Sequence, residues 1–318
     1  MTAPKEYLAA RKALLDAIIA LTGQSEGLVL VGAQAIYLRV GDIDIGINVA
    51  PTTTDADLAL NADLLTPIPN LSAALHDAGF STSTQPGTWT NADGVSVDLM
   101  VCPHQSGRTS PNARDARLAA QGHPEPRTAR IAAGLEPALV DHDALILTSL
   151  DKNDDRSILL NVAGPAAMLV AKLIKLQERL EARHDGRPDR IKPKDVIDIF
   201  RLLVGTQADD LHAGFIRHQG SLQAALTSRR AMEFVHDDLH RREGPALRAI
   251  FTAEVGDDPI QVALSAGDMI ASAWYRRCSI SLRTPSASPV SPADAPRTSI
   301  SSTSRGSVAS SSTRQTAR

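Results

Sequence analysis

Asp55 and Asp57 flank a single Ala56 in the stretch "PTTTDADLAL". In an extended strand, residues i and i+2 point to the same face, so the two carboxylates project together and repel each other unless a cation lies between them. A third acid, Asp98, sits in the alternating run "GVSVDLMV", which reads as another strand. If these strands are neighbours, three hard oxygen ligands converge. That donor set suits Mg2+ or Mn2+ held by a few carboxylates together with water and substrate phosphates, and two such ions about 3.5 to 4 Å apart clamp an in-line phosphoryl displacement. Asp55, Asp57 and Asp98 are therefore the candidate metal ligands and catalytic residues, with Asp98 also expected to take the proton of an attacking hydroxyl.

The elements that must position these acids are readable from periodicity. Helical spacing of Leu8, Leu14, Leu15, Ile18, Ile19 and Leu21 predicts a helix over 4–22. "GLVLVG" is a short core strand, closed by Gly32 just before the helical "AQAIYLRV". A glycine at a strand-to-helix turn lets backbone approach a triphosphate and presents helix N-terminal N–H groups to it. The connector "GDIDIGINVAP" leads to the strand of Asp55 and Asp57. It holds a rival acid pair, Asp42 and Asp44, but Gly41 and Gly46 bracket that pair as in a turn. "LSAALHDAGF" reads as a helix ending at Gly79, and 103–130, rich in Arg, Pro, Gly and Ser, as an irregular insertion. "PALVDHDALILTSL" and "DDRSILLNVA" read as two strands joined by "DKND". Beyond Pro165 the pattern turns helical, through "GPAAMLVAKLIKLQERLEAR" and "KPKDVIDIFRLLVG" to helices near 221–241 and 244–254.

Composition sets the broader frame. The 318 residues carry no signal-peptide pattern and no apolar run of about 18 residues, so a soluble, cytoplasmic, non-membrane protein is expected. Cys102 and Cys278 stand far apart and read as ordinary thiols. After Cys278 the chain is mostly Ser, Thr, Pro, Ala and Arg, which predicts a disordered tail over 279–318. Five Arg against Asp294 give that tail +4, so the formal charge of −3 leaves about −7 on the rest. A net-acidic body argues against broad nonspecific nucleic-acid binding, although a local basic face can still meet RNA.

Taken together, "LVLVGAQAIYLR", "TTTDADLAL", "VDLMV", "AKLIKLQERLEAR" and "KPKDVIDIFRLL" resemble the AbiEii-like toxin nucleotidyltransferases over about residues 15–205. That family is similar to DNA polymerase β in its catalytic core. The resemblance implies an α+β chain: a nucleotidyltransferase-fold mixed β-sheet with flanking helices over 1–165, a mainly helical domain over 166–278, then the tail. It also implies transfer of a nucleotide from an NTP with Mg2+ to a hydroxyl acceptor, RNA or tRNA, by the toxin of a toxin–antitoxin pair, whose partner is a cognate antitoxin. Gly32 and Ala33 match the family's glycine-serine turn, Ala33 lacking the hydroxyl. Asp55 and Asp57 match the acid pair and Asp98 the third acid. Lys172 matches a lysine expected to face the triphosphate, and Lys194, Asp195 and Asp198 match a later lysine-acid stretch. The alternative is a catalytically weakened nucleotide-binding or partner-binding module of the same fold.

Three further patterns carry chemistry-bearing side chains. Lys172, Lys175 and Arg179 share one helix face, either a solvated basic stripe or a phosphate contact. Asp195 and Asp198, one turn apart, suit orienting or ion-pair roles with Lys194 or a nearby Arg better than metal binding. His236 and His240 have zinc-ligand spacing but lack the accompanying glutamate and a third ligand, so they read as a solvated polar face.

Overall fold

The computed structural model describes residues 4–41, 53–187 and 190–236. The rival pair Asp42 and Asp44, the expected helix over 244–254, His240, Cys278 and the tail lie outside the described residues. The order is α1 (Lys5–Ala20), β1 (Leu28–Val31), α2 (Gly32–Val40), β2 (Asp55–Leu60), α3 (Leu71–Asp77), β3 (Ser81–Thr82), β4 (Thr88–Thr90), β5 (Ser96–Val101), β6 (Arg130–Ile131), β7 (His142–Thr148), β8 (Ser157–Ala163), α4 (Pro165–His184), α5 (Pro193–Gly205), α6 (Ala208–His218) and α7 (Leu222–Phe234). This is an α+β architecture on one mixed sheet of order β3-β4-β5-β2-β1-β8-β7, with β6 added to β5.

β1 explains the apolar run "LVLV". It lies between antiparallel β2 and parallel β8, and all four of its residues are buried, as expected of a strand covered on both faces. β2 then runs parallel to β5, pairing Asp55 with Ser96 and Asp57 with Asp98. The short β4 and β6 share the remaining edge of β5: β4 pairs with Ser96 to Asp98, and β6 with Met100 and Val101. Between them Gly87, at φ +76°, brings its backbone so close to Arg130 N and Leu99 O that a Cβ would lie 2.4 Å from each. A side chain there would push the two short strands off β5.

The hairpin of β7 and β8 forms where it was expected, in antiparallel register from His142↔Ala163 to Thr148↔Ser157. Its expected start differs. Pro137 to Val140 do not extend the strand, because Glu136–Leu139 is a short 3-10 helix carrying a proline in its first turn, where a missing N–H costs nothing. One buried core joins sheet residues such as Leu30, Leu58 and Leu99 to Leu169, Ile174, Phe215 and Phe234 of the later helices.

Asp141 fastens those helices to the sheet. It is fully buried at the entry to β7. Its Oδ2 accepts from Ala167 N, 3.1 Å away, satisfying an N–H in the first turn of α4 that the cap residue, Gly164, cannot reach. Arg217 of α6 donates to Oδ1 at 2.6 and 2.8 Å, and His218 Nε2 lies 3.2 Å from Oδ2. His218 Nδ1 in turn meets Ser228 Oγ of α7 at 2.8 Å. A Cβ on Gly164 would sit 2.3 Å from Asp141 Oδ1, so this carboxylate fills the space there, whereas one on Gly214 would meet the Ala166 Cβ at 2.5 Å and then Asp141 Oδ2 at 2.8 Å.

Candidate active site

The structure brings the three predicted acids to neighbouring positions on the sheet, although their carboxylate oxygens do not all lie within 4.8 Å of one another. Parallel pairing puts Asp57 directly beside Asp98, and Asp55 follows two residues back on the same face of β2. Two hydroxyls orient the carboxylates: Thr53 Oγ1 donates to Asp55 Oδ1 at 2.8 Å and Thr88 Oγ1 to Asp98 Oδ1 at 2.7 Å. Burial, then the charges of Asp55 and Asp98, push the Asp57 carboxyl up to about 6, against the pull of Arg130 and Lys175. Arg130 offsets part of that repulsion from the edge of the cluster.

Gly32 sits immediately against this cluster. Its φ of +70° is in the left-handed region, and a Cβ there would lie 2.1 Å from Asp57 Oδ2. Glycine is thus required twice, for the backbone conformation and for room beside the carboxylate. Gly32→Ala is expected to cost about 2 kcal/mol of stability, from left-handed strain of roughly 1–2 kcal/mol plus the clash. Because Asp57 must also move, the acid cluster is disturbed as well. Thermal melts check this, and an unchanged Tm would show that the turn tolerates a Cβ. Ala33 turns away from the acids: it is 4 % exposed and packs in a small apolar cluster with Tyr7 and Tyr37.

Arg130 is the site residue that sequence reading missed. It lies at the end of the insertion, on β6, paired with Met100. Met100 and Asp98 share a face of β5, and the guanidinium reaches Asp98 Oδ2 at 2.9 Å and Asp57 Oδ1 at 3.7 Å. The signal was weak: one arginine among several in a segment without periodicity.

The lysines divide between two environments. Lys172 is buried, with its Nζ 2.6 Å from Asp198 Oδ2 and 3.8 Å from Asp195 Oδ1. Asp195 also takes Lys175, at 3.0 Å, and Arg179. Arg201 is 3.9 Å from Asp198 and stacks over the Tyr37 ring. Asp195 and Asp198 therefore sit in an ion-pair network joining α4 to α5, and Lys194 lies half-buried on the first turn of α5. Lys175 is half-exposed. Desolvation, then Lys172 and Arg179, lower its ammonium to about 8, while Asp57 pulls it back up. That coupling marks Lys175 as the lysine of this face that senses the acid cluster.

A second constellation has the connectivity of a catalytic triad, Ser228 to His218 to Asp141. All three are at most 2 % exposed. No substrate reaches a serine so enclosed, and the group acts as the fastening described above.

No protein-family model and no curated protein sequence matches this chain. Among solved structures it is similar to a crystal structure of an antigenic nucleotidyltransferase-like protein from Paracoccidioides brasiliensis, at 15 % identity and a TM-score of 0.34, covering 78 % of this chain and 95 % of that one. That TM-score is too low for the likeness to bear on function. Among the described residues, no helix is long and apolar enough to cross a membrane.

Proposed function

We propose that this chain is a metal-dependent nucleotidyltransferase that moves NMP from an NTP to a hydroxyl acceptor. The observation that carries this reading is the parallel pairing of β2 with β5, which sets Asp57 beside Asp98 at the mouth of the Gly32 turn. Asp55, Asp57 and Asp98 are hard oxygen donors of the kind Mg2+ or Mn2+ takes, and burial, then the charges of Asp55 and Asp98, lift Asp57 to about 6. When bound, the ion neutralises phosphate charge and favours attack by the acceptor oxygen.

The chain's own groups supply the rest. The Gly32 backbone and the N–H groups opening α2 receive the phosphates. Asp98, oriented by Thr88, takes the proton of the attacking hydroxyl. The acceptor oxygen bonds to the α-phosphorus as the bond to the bridging oxygen breaks and pyrophosphate leaves. Arg130 and Lys175 add positive charge at the rim.

The proposal extends to RNA or tRNA as acceptor and to a toxin held in check by an antitoxin, on the strength of the sequence resemblance. Incubation with each labelled NTP, Mg2+ and total tRNA tests it: labelled RNA supports the reading, and no transfer to any acceptor overturns it. The second reading, a nucleotide-binding module without turnover, draws on Ala33, whose methyl packs against Tyr7 and Tyr37 and offers no hydroxyl to a phosphate. It expects NTP to bind and stay intact.

The sequence resemblance assigns the triphosphate contact to Lys172. In the fold that ammonium is committed to Asp198, and Lys175 is the more available cation. Lys175→Ala should raise the KM for NTP about tenfold, the scale of one charge-assisted hydrogen bond, with little change in Tm. Lys172→Ala should lower Tm, because removing one partner of a buried pair costs about 3–5 kcal/mol. Steady-state kinetics and melts on the two variants decide the assignment, and the reverse pattern returns the phosphate role to Lys172.

A further inference from the structure

We propose that Cys102, His104 and Glu136 form a zinc site, separate from the acid cluster, that staples the two ends of the 103–130 insertion. One ligand atom from each residue lies within 4.8 Å of the other two. Cys102 directly follows β5, and Pro103 opens the 3-10 helix Pro103–Gln105 that brings His104 back over it. Glu136 begins the 3-10 helix Glu136–Leu139, which packs against α4 and α7. A thiol and an imidazole two residues apart thus meet a carboxylate from a later element.

The burial of Cys102 and Glu136 favours a cation beside them. Glu136 is 7 % exposed and accepts from Gly134 N at 2.9 Å. Among the described residues no Lys or Arg forms a salt bridge with it. A carboxylate taken out of water without a counter-charge is expensive. Its neighbour Cys102 is 1 % exposed, so its sulfur is likewise enclosed beside that carboxylate. One dication pairs with the carboxylate and takes the sulfur as thiolate. Forming the S–Zn bond releases the thiol proton to solvent, and no redox change occurs.

The donor set selects the metal. Thiolate and imidazole favour zinc over Mg2+ or Ca2+, which take oxygen ligands. Because His104 is exposed, the site has an entry path, and water can complete four-coordination. The consequence is mechanical: the insertion that delivers Arg130 to the acids is closed at its base by a metal bridge.

Tag-free, full-length protein carrying Cys278→Ser, titrated with Co2+ as a spectroscopic stand-in for zinc, tests the site. A near-ultraviolet thiolate-to-cobalt band saturating at one equivalent is expected, unaffected by excess Mg2+. Cys102→Ser should remove the band, and His104→Ala, an exposed change that leaves the core intact, should weaken Co2+ binding at least tenfold. Zn2+ should displace cobalt and raise the Tm. The acid cluster contains no sulfur and cannot give this band, so the result does not depend on whether transfer is observed. Absence of the band, its survival in Cys102→Ser, or unchanged affinity in His104→Ala overturns the proposal.

Discussion

Asp57→Asn should abolish nucleotide transfer and, in metal-free buffer, raise the melting temperature. The two effects have one cause. Asp57 is held among Asp55, Asp98 and buried surroundings, which lift its carboxyl to about 6. A carboxyl raised above its unfolded value contributes fully below the unfolded pKa, and that contribution is lost as pH rises through about 6. At neutral pH the ionised group therefore costs the metal-free fold on the order of 3 kcal/mol, by the usual 1.36 kcal/mol per pKa unit. Asn removes the charge and the cost, so the melt should rise by several degrees. It also removes a metal-holding oxygen, and transfer should fall at least about 100-fold, near 2.7 kcal/mol of barrier. The wild-type protein should bind Mg2+ about tenfold more weakly for each pH unit below 6, where a proton must be displaced first. A variant that melts higher yet transfers normally would remove Asp57 from the chemistry.

Asp141→Ala should destabilise the protein by about 3–5 kcal/mol, the range for breaking a buried ion pair, and lower Tm by roughly 10 °C. The carboxylate receives Arg217, His218 and the Ala167 N–H, and its loss leaves His218 Nε2 and the Ala167 N–H buried without that acceptor and releases the half-exposed Arg217. Asp141→Asn keeps an acceptor and should cost less. Burial alone would push the Asp141 carboxyl up, but the bonds from His218 and Arg217 outweigh it and hold the group below the usual range. Its contribution is thus present above the ordinary carboxylate pKa and fades as pH falls through the lowered one. Denaturant melts at pH 7 and pH 3 check the sign: the gap between wild type and Asp141→Ala should narrow in acid. An unchanged gap would show that packing, and not charge, holds α6 and α4 together.

What the chain discloses in one dimension follows the range of the interaction. The pair Asp55 and Asp57 was legible because a strand's two-residue period is local, and Gly32 because a strand-to-helix turn is local too. The pairing of β2 with β5 entered only as the condition under which the three acids meet, and the register Asp57↔Asp98 fulfils it. Arg130 was not legible. Its approach to Asp98 depends on where an irregular segment returns to the sheet, and no period marks that point. β3 and β4 were missed because two- and three-residue strands carry no alternation. The Asp141, His218 and Ser228 fastening was hidden for the same reason, since its members lie on three separate elements. Lys172 and Lys175 share a helix face, as their spacing says, yet spacing is blind to α5, whose Asp198 claims one of them.

The place of β1 also dictates a schedule during synthesis. Its Val29 pairs with Asn161 of β8, so the second edge of "LVLV" stays open until the ribosome has delivered the hairpin. At about 5–20 residues per second this is a wait of roughly 6–26 s, during which an apolar strand edge can be templated by another chain. Nascent chains stalled before Ser157 should therefore recruit chaperones or aggregate, whereas chains released past Ala163 can close the sheet and, with it, the acid cluster.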